Sequence, residues 1–261
     1  MSGANRVRKI VTQDLPSWTI YKYKEKTRNC SSFIDERGYI THHLTTEEQQ
    51  FPIAFSILMY KNVEQVERLL RAIYRPQNIY CIHVDSKTNI EIYKALSGIS
   101  NCFENVFVLR KRVNVIWGKM SVLTPELLCM EELWKRHKTW KYFINLTGQE
   151  FPLKSYPETT AISNTKKPYL ARFKNRLHSR MHRWPCHGKW VRGMCIFNFK
   201  DLHTLSTRKE LFANKFHLYD NPLPYACMEE LIFNRTRDEF QGTRKFDASW
   251  YSNLGFVKRH V

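Results

Sequence analysis

The run FPIAFSILMYKNVEQVERLLRAIYRPQNIYCIHVDSK, residues 51–87, decides the fold. Its first part, Pro52-Ile53-Ala54-Phe55-Ser56-Ile57-Leu58, is a short apolar stretch that reads as a strand. From Val63 to Tyr74 the pattern changes period. Val63, Val66, Leu69, Leu70 and Ile73 recur close to every 3.6 residues, with Glu64, Glu67, Arg68 and Arg71 expected on the opposite face. A second apolar run, Ile79-Tyr80-Cys81-Ile82-His83-Val84, ends on Asp85. The order is strand, helix, strand, with a carboxylate at the tip of the second strand. Open α/β sheets bind ligands outside the carboxyl ends of their strands, so Asp85 is a candidate for reading a nucleotide. The competing reading makes it a cap for the next helix.

The alternation continues outward. A weaker helix is expected near Ile90–Leu96 and a strand at Val106–Leu109. A longer helix is expected near Val122–Arg136, with Leu123, Leu127, Met130 and Trp134 on one stripe and Pro125 in its first turn. Tyr142–Leu146 reads as a strand closed by Thr147-Gly148-Gln149-Glu150, and Tyr169–Phe173 as another. Strands alternating with helices imply an α/β fold with a mostly parallel sheet covered on both sides. Beyond residue 174 the cations Lys174, Arg176, Arg180 and Arg183 crowd a stretch without apolar period. Trp190–Phe197 then reads as one more strand, followed by Leu211–Phe216. Residues 1–50 are polar and without period, a stem-like lead-in. The expected division is 1–50 lead-in, 51–175 nucleotide-binding α/β region and 176–261 basic C-terminal region.

The 42 Lys and Arg against 24 Asp and Glu leave a formal charge of +18, which favours phosphate-bearing or polyanionic partners or else serves solubility alone. Zinc-finger spacing, a basic heptad helix and an RRM-type aromatic signature are all lacking, so nucleic acid is not the expected partner. The seven cysteines, Cys30, Cys81, Cys102, Cys129, Cys186, Cys195 and Cys227, form no CxxC or Cys/His pattern, so no metal site is expected. They suit buried thiols or disulfides in an oxidising lumen. N-x-[ST] sequons make Asn29, Asn145 and Asn234 the expected glycosylation positions, with Asn145 at an expected strand end where a glycan fits poorly. The first residues, MSGANRVRKIVTQDLPSWTIYKYKEK, hold no apolar stretch long enough for a signal peptide or membrane span.

Neither GxxxxGK[ST] nor GxGxxG occurs, and no DxD pair is present to hold a divalent ion on a nucleotide sugar. A diphosphate would then be neutralised by side chains. Arg192 and Lys215 are candidates because each sits beside apolar residues; the competing reading leaves both as solvated surface cations. Trp117, before Gly118, could stack on a base or belong to the core. Glu150 could be a general base or a turn residue.

Three segments carry a resemblance: residues 51–87 as quoted, KYFINLTGQEFPLK at 141–154 and VRGMCIFNFKDLHTLSTRKELFANKF at 191–216. They resemble the core 2 β-1,6-N-acetylglucosaminyltransferases and their branching-enzyme relatives. The resemblance implies a Golgi membrane enzyme with a lumenal GT-A-like fold. It also implies inverting, metal-independent transfer of N-acetylglucosamine from UDP-GlcNAc, with no cofactor, to a mucin-type O-glycan acceptor. By the same resemblance Asp85 lies at the uridine site, Leu58 and Tyr60 beside it, and Trp117 near the nucleotide, while Arg192 and Lys215 hold the diphosphate. The implied disulfides are Cys30 with Cys102, Cys81 with Cys129, and Cys186 with Cys195, leaving Cys227 odd.

Two departures from the family pattern are expected to matter. The cytoplasmic tail and membrane anchor are lacking, so any membrane link runs through an anchor outside this chain. The long segment joining the FPLK region to the basic strand, which holds the acceptor contacts and the catalytic glutamate, has no counterpart, and no S-P-D-E motif occurs. Glu229 and Glu230 belong to another family segment and do not fill that role, so no catalytic residue is assigned. The alternative expectation is a non-catalytic truncated isoform or pseudoenzyme that only binds the UDP-sugar.

Overall fold

The computed structural model describes residues 17–163, 172–174, 186–191 and 193–254. Contacts divide the chain into two compact units, residues 18–148 and residues 149–261 together with the first 17.

The first unit is built on four strands: β1 (Ile53–Met59), β2 (Ile79–Val84), β3 (Val106–Val108) and β4 (Tyr142–Thr147). All pair in parallel in the order β3-β2-β1-β4. β1 and β2 are almost wholly buried, which is why they read as continuous apolar runs rather than alternating ones. On one face Phe55 stacks on its register partner Tyr80 at 5.2 Å, and Tyr74 stacks on Tyr80 at 5.6 Å. On the other face Ala54, Ile79, Cys81 and Leu109 pack with Cys129 and Leu133 of the helix Thr124–Arg136. A Cys81–Cys129 disulfide fastens that helix to β2. The sheet is therefore an α/β arrangement, parallel and flanked by helices, consistent with the GT-A-like fold that the resemblance implies.

Three expectations change here. Residues 18–50 are not irregular: they form short helices at Ile20–Lys26, Cys30–Arg37 and Thr46–Gln50. Trp18, Tyr23, Phe33 and Tyr39 anchor them by burial, and a Cys30–Cys102 disulfide closes the segment onto the rest of the unit. Second, the charged face of the helix Val63–Ile73 is not solvated. Glu64, Glu67 and Arg68 are buried, because the lead-in supplies the donors that Glu67 needs. Tyr23 and Tyr39 donate their hydroxyls to Glu67 at 2.9 and 3.1 Å, and Arg37 donates Nε at 3.0 Å with a second bond from Nη2. Burial, with the Glu67 charge beside them, pushes both tyrosine hydroxyls up; for Arg37 burial acts downward, and the Glu67 carboxylate outweighs it and raises the guanidinium. Third, Leu123, Leu127, Met130 and Trp134 face outward, Trp134 being 52% exposed. Apolar residues surround this helix, and the Cys129 staple selects the Pro125, Cys129 and Leu133 side for burial.

The second unit holds β5 (Glu150–Pro152), β6 (Arg172–Lys174), the hairpin strands β7 (Lys189–Val191) and β8 (Met194–Ile196), and β9 (Phe212–Asn214). β5, β9 and β6 form one sheet, with β9 central, antiparallel to β5 and parallel to β6. Of the strand expected at 169–173, residues 169–171 lie outside the described residues. The strand expected at Trp190–Phe197 is instead the β7–β8 hairpin, turned at Gly193, whose φ of 72° suits glycine. A Cys186–Cys195 disulfide closes it, and Phe151, Phe197, Phe216 and Tyr225 form an aromatic cluster beside the helix Pro222–Phe240. The three disulfides join the same cysteines that the resemblance implies, and Cys227 is a free thiol.

Candidate functional site

The strand order places a topological switch in the first unit. From β1 the chain steps outward to β2 and β3, then returns to pair β4 on the other side of β1. Crevices at the carboxyl ends of such strands are where open α/β sheets receive ligands. Leu58 and Tyr60 lie at the end of β1, Asp85 just past β2, and Thr147-Gly148 at the end of β4. Gly148 N donates to Leu58 O at 2.9 Å, and an added Cβ at Gly148 would stand 2.8 Å from Val66 Cγ2. Glycine is what lets the turn after β4 pass beside Val66 of the helix Val63–Ile73.

Asp85 is 5% exposed, and its backbone N donates to Met59 O at 3.0 Å. Both its carboxylate oxygens are engaged from Lys87: Oδ1 accepts from the backbone N and Oδ2 from Nζ, each at 2.9 Å. Lys87 Nζ also donates to Asn114 Oδ1 at 3.0 Å and to Val115 O, and lies 5.9 Å from the centre of the Tyr60 ring. The cap reading of Asp85 does not hold, since the helix Ile90–Ser100 is capped by Asn89, whose Oδ1 accepts from Glu91 N. Asp85 instead closes a three-residue turn.

That turn is held from its far side by one cation. Arg112 Nη2 donates to Asp85 O at 2.8 Å, to Ser86 O at 3.2 Å and to Thr88 O. Thr88 Oγ1 donates to Tyr60 O, and Ser86 N to Val113 O at 3.0 Å. His83 is buried in β2 and accepts from Val113 N through Nε2 at 2.9 Å, so its proton resides on Nδ1. Burial pushes its pKa down to about 4, with the Asp85 carboxylate opposing and Arg112 assisting, which keeps the imidazole neutral. The loops after β1, β2 and β3 are thus one hydrogen-bonded rim.

Trp117 stands on the third loop, 87% exposed, next to Gly118 at a φ of 78°; the core reading of Trp117 therefore fails. Tyr60 is likewise exposed, and Leu58 half-buried. The fold brings Leu58, Tyr60, Asp85 and Trp117 to the same end of one sheet. Lys215 belongs to the second unit, just past β9, half-buried, with its backbone O accepting from Phe197 N at 3.1 Å. Arg192 lies outside the described residues. Glu150 is fully buried in β5, where Asn214 Nδ2 approaches Oε1 at 3.4 Å. Among the described residues no group of three or more His, Cys, Asp or Glu is placed to hold a metal ion.

Sequence reasoning missed His83, Lys87, Thr88 and Arg112. The Asp-Ser-Lys triplet carried a signal for Lys87, because aspartate readily bonds the backbone two residues on. Arg112 acts on carbonyls 24 to 27 residues away and left no local signal.

The family model described as Core-2/I-Branching enzyme matches residues 53–194. The chain belongs to the Core-2/I-branching enzyme family. A Bos taurus relative named beta-1,3-galactosyl-O-glycosyl-glycoprotein beta-1,6-N-acetylglucosaminyltransferase is 41% identical over 182 residues, covering 67% of this chain and 42% of the relative. A Homo sapiens protein of the same name is 40% identical over 191 residues, covering 72% and 43%. A Bovine herpesvirus 4 protein of that name is 38% identical over 178 residues, covering 68% and 40%. Each match with this branching-enzyme chain spans about two fifths of the relative's length. The family match takes in all four strands of the parallel sheet, the whole rim from Tyr60 to Trp117, and Arg192; Lys215 lies beyond it.

Proposed function

We propose that the chain is a glycosyltransferase of the branching type. It takes N-acetylglucosamine from UDP-GlcNAc and transfers it with inversion, in β-1,6 linkage, to a mucin-type O-glycan core. The observation that carries this reading is the rim at the switch point: a buried carboxylate, Asp85, is fixed at the end of β2, and the exposed rings of Tyr60 and Trp117 stand on the loops after β1 and β3. A carboxylate already holding Lys87 keeps lone pairs for a base N–H, and exposed aromatic faces suit a flat heterocycle. The 51–175 region binds the uridine, and the 176–261 region supplies Arg192 and Lys215 to neutralise the diphosphate without metal or cofactor. Stabilising that leaving group is one half of the chemistry. The other half is a base that removes the acceptor hydroxyl proton. The disulfides fit a lumenal setting, which in this family would be the Golgi.

The absence of an S-P-D-E motif favours a second reading, a chain that binds the UDP-sugar without transfer. Titration calorimetry with UDP tests the binding they share. Asp85→Asn, Arg192→Ala and Lys215→Ala should each weaken UDP by about tenfold or more, a loss of ~1.4 kcal/mol. Unchanged affinity in all three variants would remove the nucleotide site. UDP release from UDP-GlcNAc that requires a Galβ1-3GalNAc acceptor decides for transfer; UDP binding without such release decides for the binder.

A further inference from the structure

The fold treats the three sequons differently. Asn29-Cys30-Ser31 opens the helix Cys30–Arg37, and Asn29 is its N-cap, with Oδ1 accepting from Ser32 N at 3.1 Å. The cap uses the carbonyl oxygen of the side-chain amide and leaves Nδ2 unused. Arg28, Asn29, Ser31 and Ser32 are all exposed, so the nitrogen opens to solvent beside small or flexible neighbours. Asn145 is half-buried inside β4, between buried Ile144 and Leu146, in register with buried Ser56 of β1. Asn234 is half-buried in the middle of the helix Pro222–Phe240. The threonine of its triplet, Thr236, is buried with Oγ1 donating to Ile232 O at 2.9 Å.

We propose that Asn29 carries an N-linked glycan and that Asn145 and Asn234 do not. The co-reactant is an oligosaccharide carried on a lipid diphosphate. Asn29 Nδ2 bonds to the anomeric carbon of the first sugar, the bond from that carbon to the diphosphate oxygen breaks, and the lipid diphosphate leaves with the electron pair. The nitrogen gives up one of its two protons and Oδ1 remains an acceptor. The helix cap therefore survives the modification, and the glycosylated chain folds as the bare one does. A sugar at Asn145 or Asn234 would instead bring strongly hydrated hydroxyls against packed surface, where unpaired polar groups are costly. The requirement is an oxidising, oligosaccharide-bearing lumen, to which the three disulfides point. The inference is independent of the transferase reading, since an inactive chain folded in the same lumen would be modified alike.

The test uses the full chain secreted from cultured animal cells behind a cleavable signal peptide. Peptide N-glycosidase should give a single mobility step, and peptide mapping should find asparagine converted to aspartate at position 29 alone. Ser31→Ala destroys the sequon while keeping the Asn29 cap and Cys30, so complete loss of the mobility step in that folded variant supports the site. Asn29→Gln should lose the step as well. A step that persists in Ser31→Ala, conversion at position 145 or 234, or a wild-type chain with no step would each overturn the proposal.

Discussion

At the scale of single residues, the rim turns on Arg112 more than on the residues expected to touch a nucleotide. One guanidinium nitrogen gathers the carbonyls of Asp85, Ser86 and Thr88, which fixes the direction of the Asp85 carboxylate without contacting it. Arg112 is therefore a positioning residue. Replacing it by methionine keeps an unbranched apolar stem and removes the charge-assisted bonds, each worth about 1.5–3 kcal/mol. Arg112→Met should weaken UDP about tenfold in calorimetry, and Arg112→Lys should recover part of that loss because an ammonium still donates. UDP affinity equal to wild type in Arg112→Met, with any shift confined to thermal stability, would reduce Arg112 to a structural tie. Asp85 could be picked out in the sequence because it ends an apolar run; Trp117 stood out only as an aromatic before Gly118, and Tyr60 came from the family resemblance alone. Arg112 and His83 could not be picked out, because their roles exist only once β2 and the loop after β3 lie side by side.

At the scale of elements, the sequence located the strands of the parallel sheet well and the faces of the helices poorly. Continuous apolar runs of six or seven residues leave little choice of conformation when both sides are covered. Helix faces depend on what arrives to cover them. The helix Val63–Ile73 looks half-solvated until the lead-in packs on it, and the lead-in escaped notice because its helices of five to eight residues are too short to show a period or to form alone. Their buried tie is Glu67 with Arg37, Tyr23 and Tyr39. Glu67→Gln would leave the half-buried Arg37 without its counter-charge, a loss of up to about 3 kcal/mol. The double variant Glu67→Gln with Arg37→Met removes both charges, keeps an amide oxygen to accept from the Tyr23 and Tyr39 hydroxyls, and should recover most of it, since no buried charge is left unpaired. Urea titrations of the single and double variants read the difference. Equal destabilisation in both would show that packing by Arg37 and Glu67, not their charges, holds the lead-in.

At the scale of the whole molecule, two compact units meet in sequence at Gly148-Gln149, inside a turn with no linker composition. No change in residue usage marks that point, so the boundary follows from contacts alone. The disulfides belong to this scale too. Cysteine spacing left fifteen pairings open for six cysteines. Each pair the structure forms lies within one unit: Cys30–Cys102 and Cys81–Cys129 in the first, Cys186–Cys195 in the second. Their weights should differ with the chain they close. Cys30–Cys102 spans 72 residues and Cys186–Cys195 spans 9. Loop-closure entropy assigns about 4 kcal/mol to the first and under ~3 kcal/mol to the second. The first also pins the lead-in, whose anchors Trp18, Tyr23 and Phe33 lie in a segment of weak local propensity. Cys30→Ser with Cys102→Ser should therefore lower the unfolding free energy by about 4 kcal/mol and shift the urea midpoint clearly. It should also open the chain to protease cleavage between residues 18 and 50 before the parallel sheet is cut. Retention of both the midpoint and the protease resistance would mean that aromatic packing alone fastens the lead-in.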